Sequence, residues 1–248
     1  MKIKKAKTTR MRLKKHEAKE VLRMRKDDTG NVLVIGDLHE PFCLESYLQH
    51  CKDQYTRFNC TRVVFIGDVI DNHYTSYHET DANALGGGDE LELAINKLSR
   101  WVKAFPKADV MIGNHDRLIA RKAQSGGIPK QWIRTYSDVL NAPDWNFTER
   151  VVYDGVQYVH GEAGTARTKG RADMMSTVQG HLHTQNYVER YVGINYSIFT
   201  AQVGCGIDHK AYAFGYAKAG KKPAISCMVV LDSGELPILL PMKLGKDS

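Results

Sequence analysis

Asp37, His39, Asp68, Asn114, His160, His181 and His183 supply two carboxylates, one amide and four imidazoles, each at or just beyond the end of a short apolar or β-branched run. Hard oxygen donors mixed with imidazole suit manganese, iron or zinc, whereas magnesium or calcium normally takes oxygen alone. Seven ligands are too many for one catalytic ion that must keep open positions. A shared carboxylate would give each of two ions four ligands. Two ions roughly 3.5 to 4 Å apart clamp the attacking and leaving oxygens of an in-line displacement at phosphorus, so a phosphate ester is the expected substrate.

The elements that must bring these residues together can be read from periodicity. Val32 to Ile35 leads into Gly36-Asp37-Leu38-His39, Val63 to Ile66 into Gly67-Asp68-Val69-Ile70-Asp71, and Val110 to Ile112 into Gly113-Asn114-His115-Asp116. Continuous apolar runs bounded by glycine predict strands buried on both faces. Leu44, Tyr47, Leu48, Cys51 and Tyr55 predict one intervening helix. Leu91, Ala94, Ile95, Leu98, Trp101, Val102 and Phe105 predict another, ended by Pro106. Such alternation makes the strands parallel and gathers their C-terminal ends on one edge. Gly86-Gly87-Gly88 lacks the Lys-Ser/Thr of a phosphate-binding loop and is expected to be a flexible loop. Asp116 is expected to cap a following helix.

The second half is richer in strands. Arg150 to Tyr153 and Val156 to His160 flank a turn at Asp154-Gly155, and Ser176 to Gln179 delivers Gly180-His181-Leu182-His183. Ser197 to Val203, Ser226 to Asp232 and Glu235 to Leu240 would complete a second sheet.

Charge divides the chain at about residue 28. The net of +7 arises because residues 1–28 hold twelve Lys/Arg and four Asp/Glu, whereas residues 29–248 hold 23 and 24. A basic arm on a nearly neutral domain is expected to be a tether to nucleic acid or a docked or solvated tail. Ala18, Val21 and Leu22 give it a short helical stripe between Thr9 and Lys26. Five cysteines without a C-x-x-C pair predict reduced thiols, mostly in the core. Apolar runs such as Cys227 to Leu231 are far shorter than the ~20 residues of a membrane helix, so no membrane partner and a cytoplasmic location are expected.

The blocks D-x-H, G-D-x-x-D, G-N-H-D, a later H, and G-H-x-H occur in order between Gly36 and His183. In this the chain resembles the calcineurin-like metallophosphoesterase family. The resemblance implies an α/β fold, a four-layer β-sandwich of two mixed sheets flanked by helices, over residues 29–248. It implies that Asp37, His39 and His183 hold a first divalent ion, that Asp68 bridges to a second, and that Asn114, His160 and His181 complete the second site. Manganese is the expected metal, with iron, zinc or nickel as alternatives. His115 would be the general acid or a cation facing the phosphoryl group, and Asp71 would orient it and stabilise its charge.

Departures from the family pattern bear on substrate. The protein phosphatases of the family have arginine after the second block and glutamate at the end of the third; Asn72 and Asp116 stand here. Losing that planar fork weakens a protein-phosphatase reading. Asn72, His73 and Asn114 are the expected substrate contacts, with Tyr74, Tyr77 and His78 in the same aromatic loop. Arg167, Lys169 and Arg171, in a loop between two ligand motifs, are the expected phosphate clamp. A phosphodiesterase or nuclease is thus expected, ahead of a phosphomonoesterase on nucleotides or phosphoproteins and of a non-catalytic scaffold of the same fold.

Overall fold

The computed structural model describes residues 30–76, 84–161, 164–215 and 222–244. The basic arm with its helical stripe, and Tyr77 and His78, lie outside the described residues.

Among the described residues eleven strands form two mixed sheets. The first comprises β1 (Val32–Ile35), β2 (Arg62–Phe65), β3 (Ala108–Met111), β4 (Trp145–Thr148), β10 (Ser226–Leu231) and β11 (Leu236–Pro241), in the order β11-β10-β1-β2-β3-β4. The second comprises β5 (Val151–Tyr153), β6 (Val156–Val159), β7 (Ser176–Gln179), β8 (Tyr187–Val192) and β9 (Ser197–Gln202), in the order β5-β6-β7-β9-β8. β1 to β4 are mutually parallel, as are β6, β7 and β9; antiparallel strands close the other edges. Ser226 to Asp232 and Glu235 to Leu240 therefore join the first sheet, not the second. Val34, Val64, Ile66 and Met111 from one sheet pack against Tyr158, Val178, Phe199 and Ala201 from the other, making a dry layer between them.

Helices cover the outer faces. α1 (Tyr47–Arg57) and α2 (Gly87–Ala104) bury Tyr47, Cys51, Leu98 and Trp101 against Leu33, Ile35 and Phe65 of the first sheet. α2 starts earlier than its apolar period: Gly86 precedes it and Gly87 and Gly88 form its first turn. Asp89 and Glu90 in that turn suit the positive end of the helix dipole, so the glycine triplet opens a helix.

The segment expected to be a basic loop forms α5 (Ala166–Asp173), which covers the second sheet. Gly170 permits this contact, because a Cβ there would stand 2.4 Å from Cγ2 of Thr200. The remaining helices are α3 (Leu118–Ser125), α4 (Tyr136–Val139) and α6 (His209–Gly215). All five cysteines are buried and unpaired. Among the described residues no helix is long and apolar enough to cross a membrane.

Candidate metal centre

The expected ligands meet where parallel strands of both sheets end. Asp37 follows β1 and accepts, through Oδ2, the backbone N–H of His181 beyond β7 at 2.8 Å. A carboxylate from one sheet thus fixes a loop of the other. Asp68 follows β2 in a left-handed conformation, φ 46°. Its Oδ1 accepts the backbone N–H of His115 at 2.8 Å, tying the loops after β2 and β3 together.

Two overlapping sets of donor atoms result, one from Asp37, His39, Asp68 and His183, the other from Asp68, His160 and His181. Nε2 of His39 lies 3.1 Å from Nε2 of His183 and 3.5 Å from Oδ2 of Asp68, and Nε2 of His183 lies 3.2 Å from Oδ2 of Asp37. In the second set Nε2 of His160 lies 3.2 Å from the same Oδ2 of Asp68. Oδ1 of Asn114 is 2.9 Å from Nε2 of His160 and 2.8 Å from Nδ1 of His181, completing that set with an amide oxygen.

The far ring nitrogens of two of these histidines are engaged. Nδ1 of His39 meets Oδ1 of Asp71 at 2.5 Å, and Nδ1 of His160 meets the carbonyl of Ile66 at 3.0 Å. A proton held at each Nδ1 leaves the Nε2 lone pairs converging on Asp68, the arrangement a metal-binding imidazole adopts. Oδ1 of Asp37 is buried without a hydrogen-bond partner, an unsatisfied hard donor beside these imidazoles. The donor set therefore fits divalent transition-metal ions.

The charges of the metal-free cluster are uneven. Burial, followed by the charge of His115, lowers the pKa of His39, and burial followed by His160 lowers that of His181. Burial also opposes charge on His160, but Asp68 and Asp37 outweigh it and push the group up to about 10. His115 follows the same logic: burial opposes its charge, while Asp68 and Asp71 raise its pKa above the ordinary value. Burial would raise the Asp68 carboxyl, yet His160, His115 and His39 hold it well below the usual range.

His115 sits beside the first set, its ring centroid 4.6 Å from that of His39. Asp71 reaches it chiefly through the backbone, its carbonyl lying 2.6 Å from Nδ1 of His115. Asn72 donates from Nδ2 to the His115 carbonyl at 3.1 Å. It therefore braces the loop from beneath.

His73 is buried, with Nδ1 2.8 Å from Oε2 of Glu90, and lies in a cluster with Asp71 and Glu90. Arg167 pairs with Glu189 and lies over the Tyr187 ring, Lys169 pairs with Asp173 at 2.8 Å, and Arg171 lies over Tyr191. These three cations contact β8 and α5, whereas the seven expected ligands, Asn114 among them, are brought together with His115, Asp71 and Asn72.

Asp116 is not a helix cap, because α3 begins after Arg117 with no side-chain cap. Asp116 instead reaches back into the protein, accepting the amides of Gly113 at 2.8 Å, Asp68 at 2.9 Å and Ile70 at 3.4 Å. It locks the two ligand loops in register. Two further neighbours carried no motif. Tyr212 of α6 places its ring 5.4 Å from that of His39 and 6.3 Å from that of His183. Glu90 accepts the amides of His73 at 3.0 Å and Tyr74 at 3.3 Å. Only an acidic residue on the otherwise apolar face of α2 could have marked Glu90 in advance.

Residues 30–195 match the family model of the calcineurin-like phosphoesterases. A comparison with curated proteins finds no match. Among solved structures, the chain is similar to a novel archaeal phosphodiesterase at 11% identity and TM-score 0.47, covering 86% of this chain and 99% of that one. It is also similar to vacuolar protein sorting 29 of Cryptosporidium parvum at 16% identity and TM-score 0.46, covering 89% and 95%. Nuclease MPE of Pseudomonas putida is 14% identical with a TM-score of 0.42, covering 85% and 87%.

Proposed function

We propose that this chain, which belongs to the calcineurin-like phosphoesterase family, is a dinuclear metal-dependent phosphodiesterase or nuclease. The observation that carries this reading is the position of Asp68, whose carboxylate belongs to both donor sets. A carboxylate common to both donor sets would allow two ions to be held close together, as a phosphoryl clamp needs. In this reading Asp37, His39, Asp68 and His183 hold one ion and Asp68, Asn114, His160 and His181 the other. When bound, the ions supply Lewis acidity and a water acidic enough to attack phosphorus near neutral pH.

The protein's own groups do the rest. Asp71 and the Ile66 carbonyl fix the rings of His39 and His160. His115, with Nδ1 committed to the Asp71 carbonyl and its charge favoured by Asp68 and Asp71, presents Nε2 as the proton donor to the leaving oxygen. Asn114 and Asn72 shape the floor of the phosphate site. Arg167, Lys169 and Arg171 serve as phosphate contacts only if they leave Glu189, Asp173 and Tyr191. The basic arm is the proposed tether to polynucleotide, and its deletion should flatten the salt dependence of binding while sparing kcat on a small ester.

Hydrolysis of bis-p-nitrophenyl phosphate compared with p-nitrophenyl phosphate, after chelation and readdition of manganese, tests the assignment. Preference for the diester that vanishes on chelation supports it. Preference for the monoester favours a phosphomonoesterase, and no turnover of either ester with manganese bound favours a scaffold.

A further inference from the structure

Directly beyond Asp116 the chain changes character. Residues 117–134 contain Arg117, Arg121, Lys122, Lys130 and Arg134 and no acidic residue, whereas the rest of residues 29–248 holds 18 basic and 24 acidic side chains. This stretch therefore carries a net charge of +5 within a domain whose remainder is net acidic. That stretch is α3 followed by a single turn of 3-10 helix at Lys130–Trp132.

It starts at the metal centre. The amide of Arg117 donates to the Gly113 carbonyl at 3.2 Å and that of Leu118 to the His115 carbonyl at 3.1 Å. Lys122 reaches back to the carbonyl of Ser76, just beyond the turn that carries Asn72 and His73, at 3.5 Å.

The same stretch carries exposed apolar groups. Trp132 is 82% exposed, whereas Trp101 and Trp145 are 1% and 3% exposed. Ile119 and Ile128, in the same stretch, are 44% and 50% exposed. Leaving an indole in water forgoes the stabilisation its burial would give, and cations interspersed with an exposed aromatic ring match a chain of anions that carries flat π faces. In duplex form those faces are stacked on one another; in a single strand they are available.

We infer that residues 117–134 form a platform that holds single-stranded polynucleotide beside the metal centre, with Trp132 stacking on a base and Lys130 and Arg134 facing the phosphates. The inference rests on the phosphodiester reading of the site. It adds that the natural diester is polymeric, and that the strand enters along α3. Arg134 already donates to the Asp138 carbonyl at 2.9 Å, which holds its guanidinium at this surface.

The test uses the full-length protein in chelator, so that binding is read without cleavage. Binding of labelled oligothymidylate and oligouridylate is followed by fluorescence anisotropy. Trp132→Ala should weaken both roughly 5- to 150-fold, the range expected for one lost base–aromatic stack. Lys130→Ala should lower the slope of log K against log salt by about 0.7, one released counterion on a single strand. The melting temperature should not move, since both side chains are exposed. With manganese restored, hydrolysis of bis-p-nitrophenyl phosphate should be unaffected by either substitution.

Equal binding by Trp132→Ala and the parent protein overturns the platform, as does a preference for the matching duplex or full competition by polyglutamate. Absence of small-diester hydrolysis in the parent protein overturns the reading of the metal site instead. The two failures are therefore read from different measurements.

Discussion

Oδ1 of Asp71 lies 2.5 Å from Nδ1 of His39, so this carboxylate is committed first to one of the proposed ligand histidines. The same oxygen is 3.4 Å from Nδ1 of His115, and the backbone carbonyl of Asp71 takes the shorter contact to that ring. One residue therefore serves two rings by two different groups. Asp71→Asn removes the negative charge but leaves the backbone carbonyl in place.

Metal affinity should consequently fall in Asp71→Asn, by roughly 10- to 100-fold, the usual effect of losing the partner of a ligand imidazole. At saturating manganese its kcat should fall less than that of His115→Asn. Competition with a fluorescent chelator measures the affinity. Unchanged affinity alongside a large loss of kcat would place Asp71 on His115 alone.

Replacing His115 by Asn should leave metal content near normal, because no metal donor set that contains Asp68 includes it. Its kcat should drop by roughly 10²- to 10⁴-fold, the range for loss of a general acid. Esters with good aryl leaving groups need less protonation and should lose less. Metal analysis of the purified variant is decisive: a parallel loss of bound metal would make His115 a ligand.

The convergence of the candidate donors was legible because each sits where a strand stops, and strands announce themselves through runs such as Val32 to Ile35 and Val63 to Ile66. The supports behind them were not. Asp116 looks like a helix cap in sequence because it precedes α3, yet its three acceptor contacts run backward to Gly113, Asp68 and Ile70. Which amides a carboxylate satisfies depends on loops that meet only in three dimensions. Likewise α5 reads as a basic loop, since Arg167, Lys169, Gly170 and Arg171 show no apolar period. Contact of Gly170 with the polar, buried outer face of the second sheet explains the helix there. β4 and β8 escaped notice because Trp145 to Thr148 and Tyr187 to Val192 are edge strands with one face in water.

The pairing of His73 with Glu90 should give the protein a pH-dependent stability. The hydrogen bond to Glu90, outweighing burial, raises the pKa of His73 above its ordinary 6.5. A raised pKa in the folded state means that the stabilisation is complete below about 6.5 and is lost as pH climbs through the folded value. Glu90→Gln removes the ionic partner and keeps only one of the two oxygens that accept the amides of His73 and Tyr74, so its melting curve should lie lower throughout and the comparison is of slopes. Thermal melts across pH 6 to 9 should therefore show a decline in the parent protein that is shallower in Glu90→Gln. Parallel curves for the two proteins would refute the assignment.

Gly113 offers the sharpest test of how closely the two ligand loops must approach. A Cβ at this position would stand 2.0 Å from Oδ1 of Asp68 and 2.4 Å from its backbone nitrogen. Neither atom can yield freely: Oδ1 holds the amide of His115, and the nitrogen donates to Asp116. Gly113→Ala must push the Asp68 carboxylate, the proposed bridge, away from the two donor sets it joins. The variant should bind metal at least roughly tenfold more weakly and lose about 1–3 kcal/mol of stability, the usual range for overpacking.

Gly88 in the first turn of α2 is the matched control, since a Cβ there meets nothing within 4 Å. Gly88→Ala should be neutral or stabilising by up to about 1 kcal/mol, because alanine gives up less backbone freedom on folding. Calorimetry with and without manganese separates the two effects on each variant. A Gly113→Ala protein with parental metal affinity and melting temperature would show that the loops can part without disturbing Asp68.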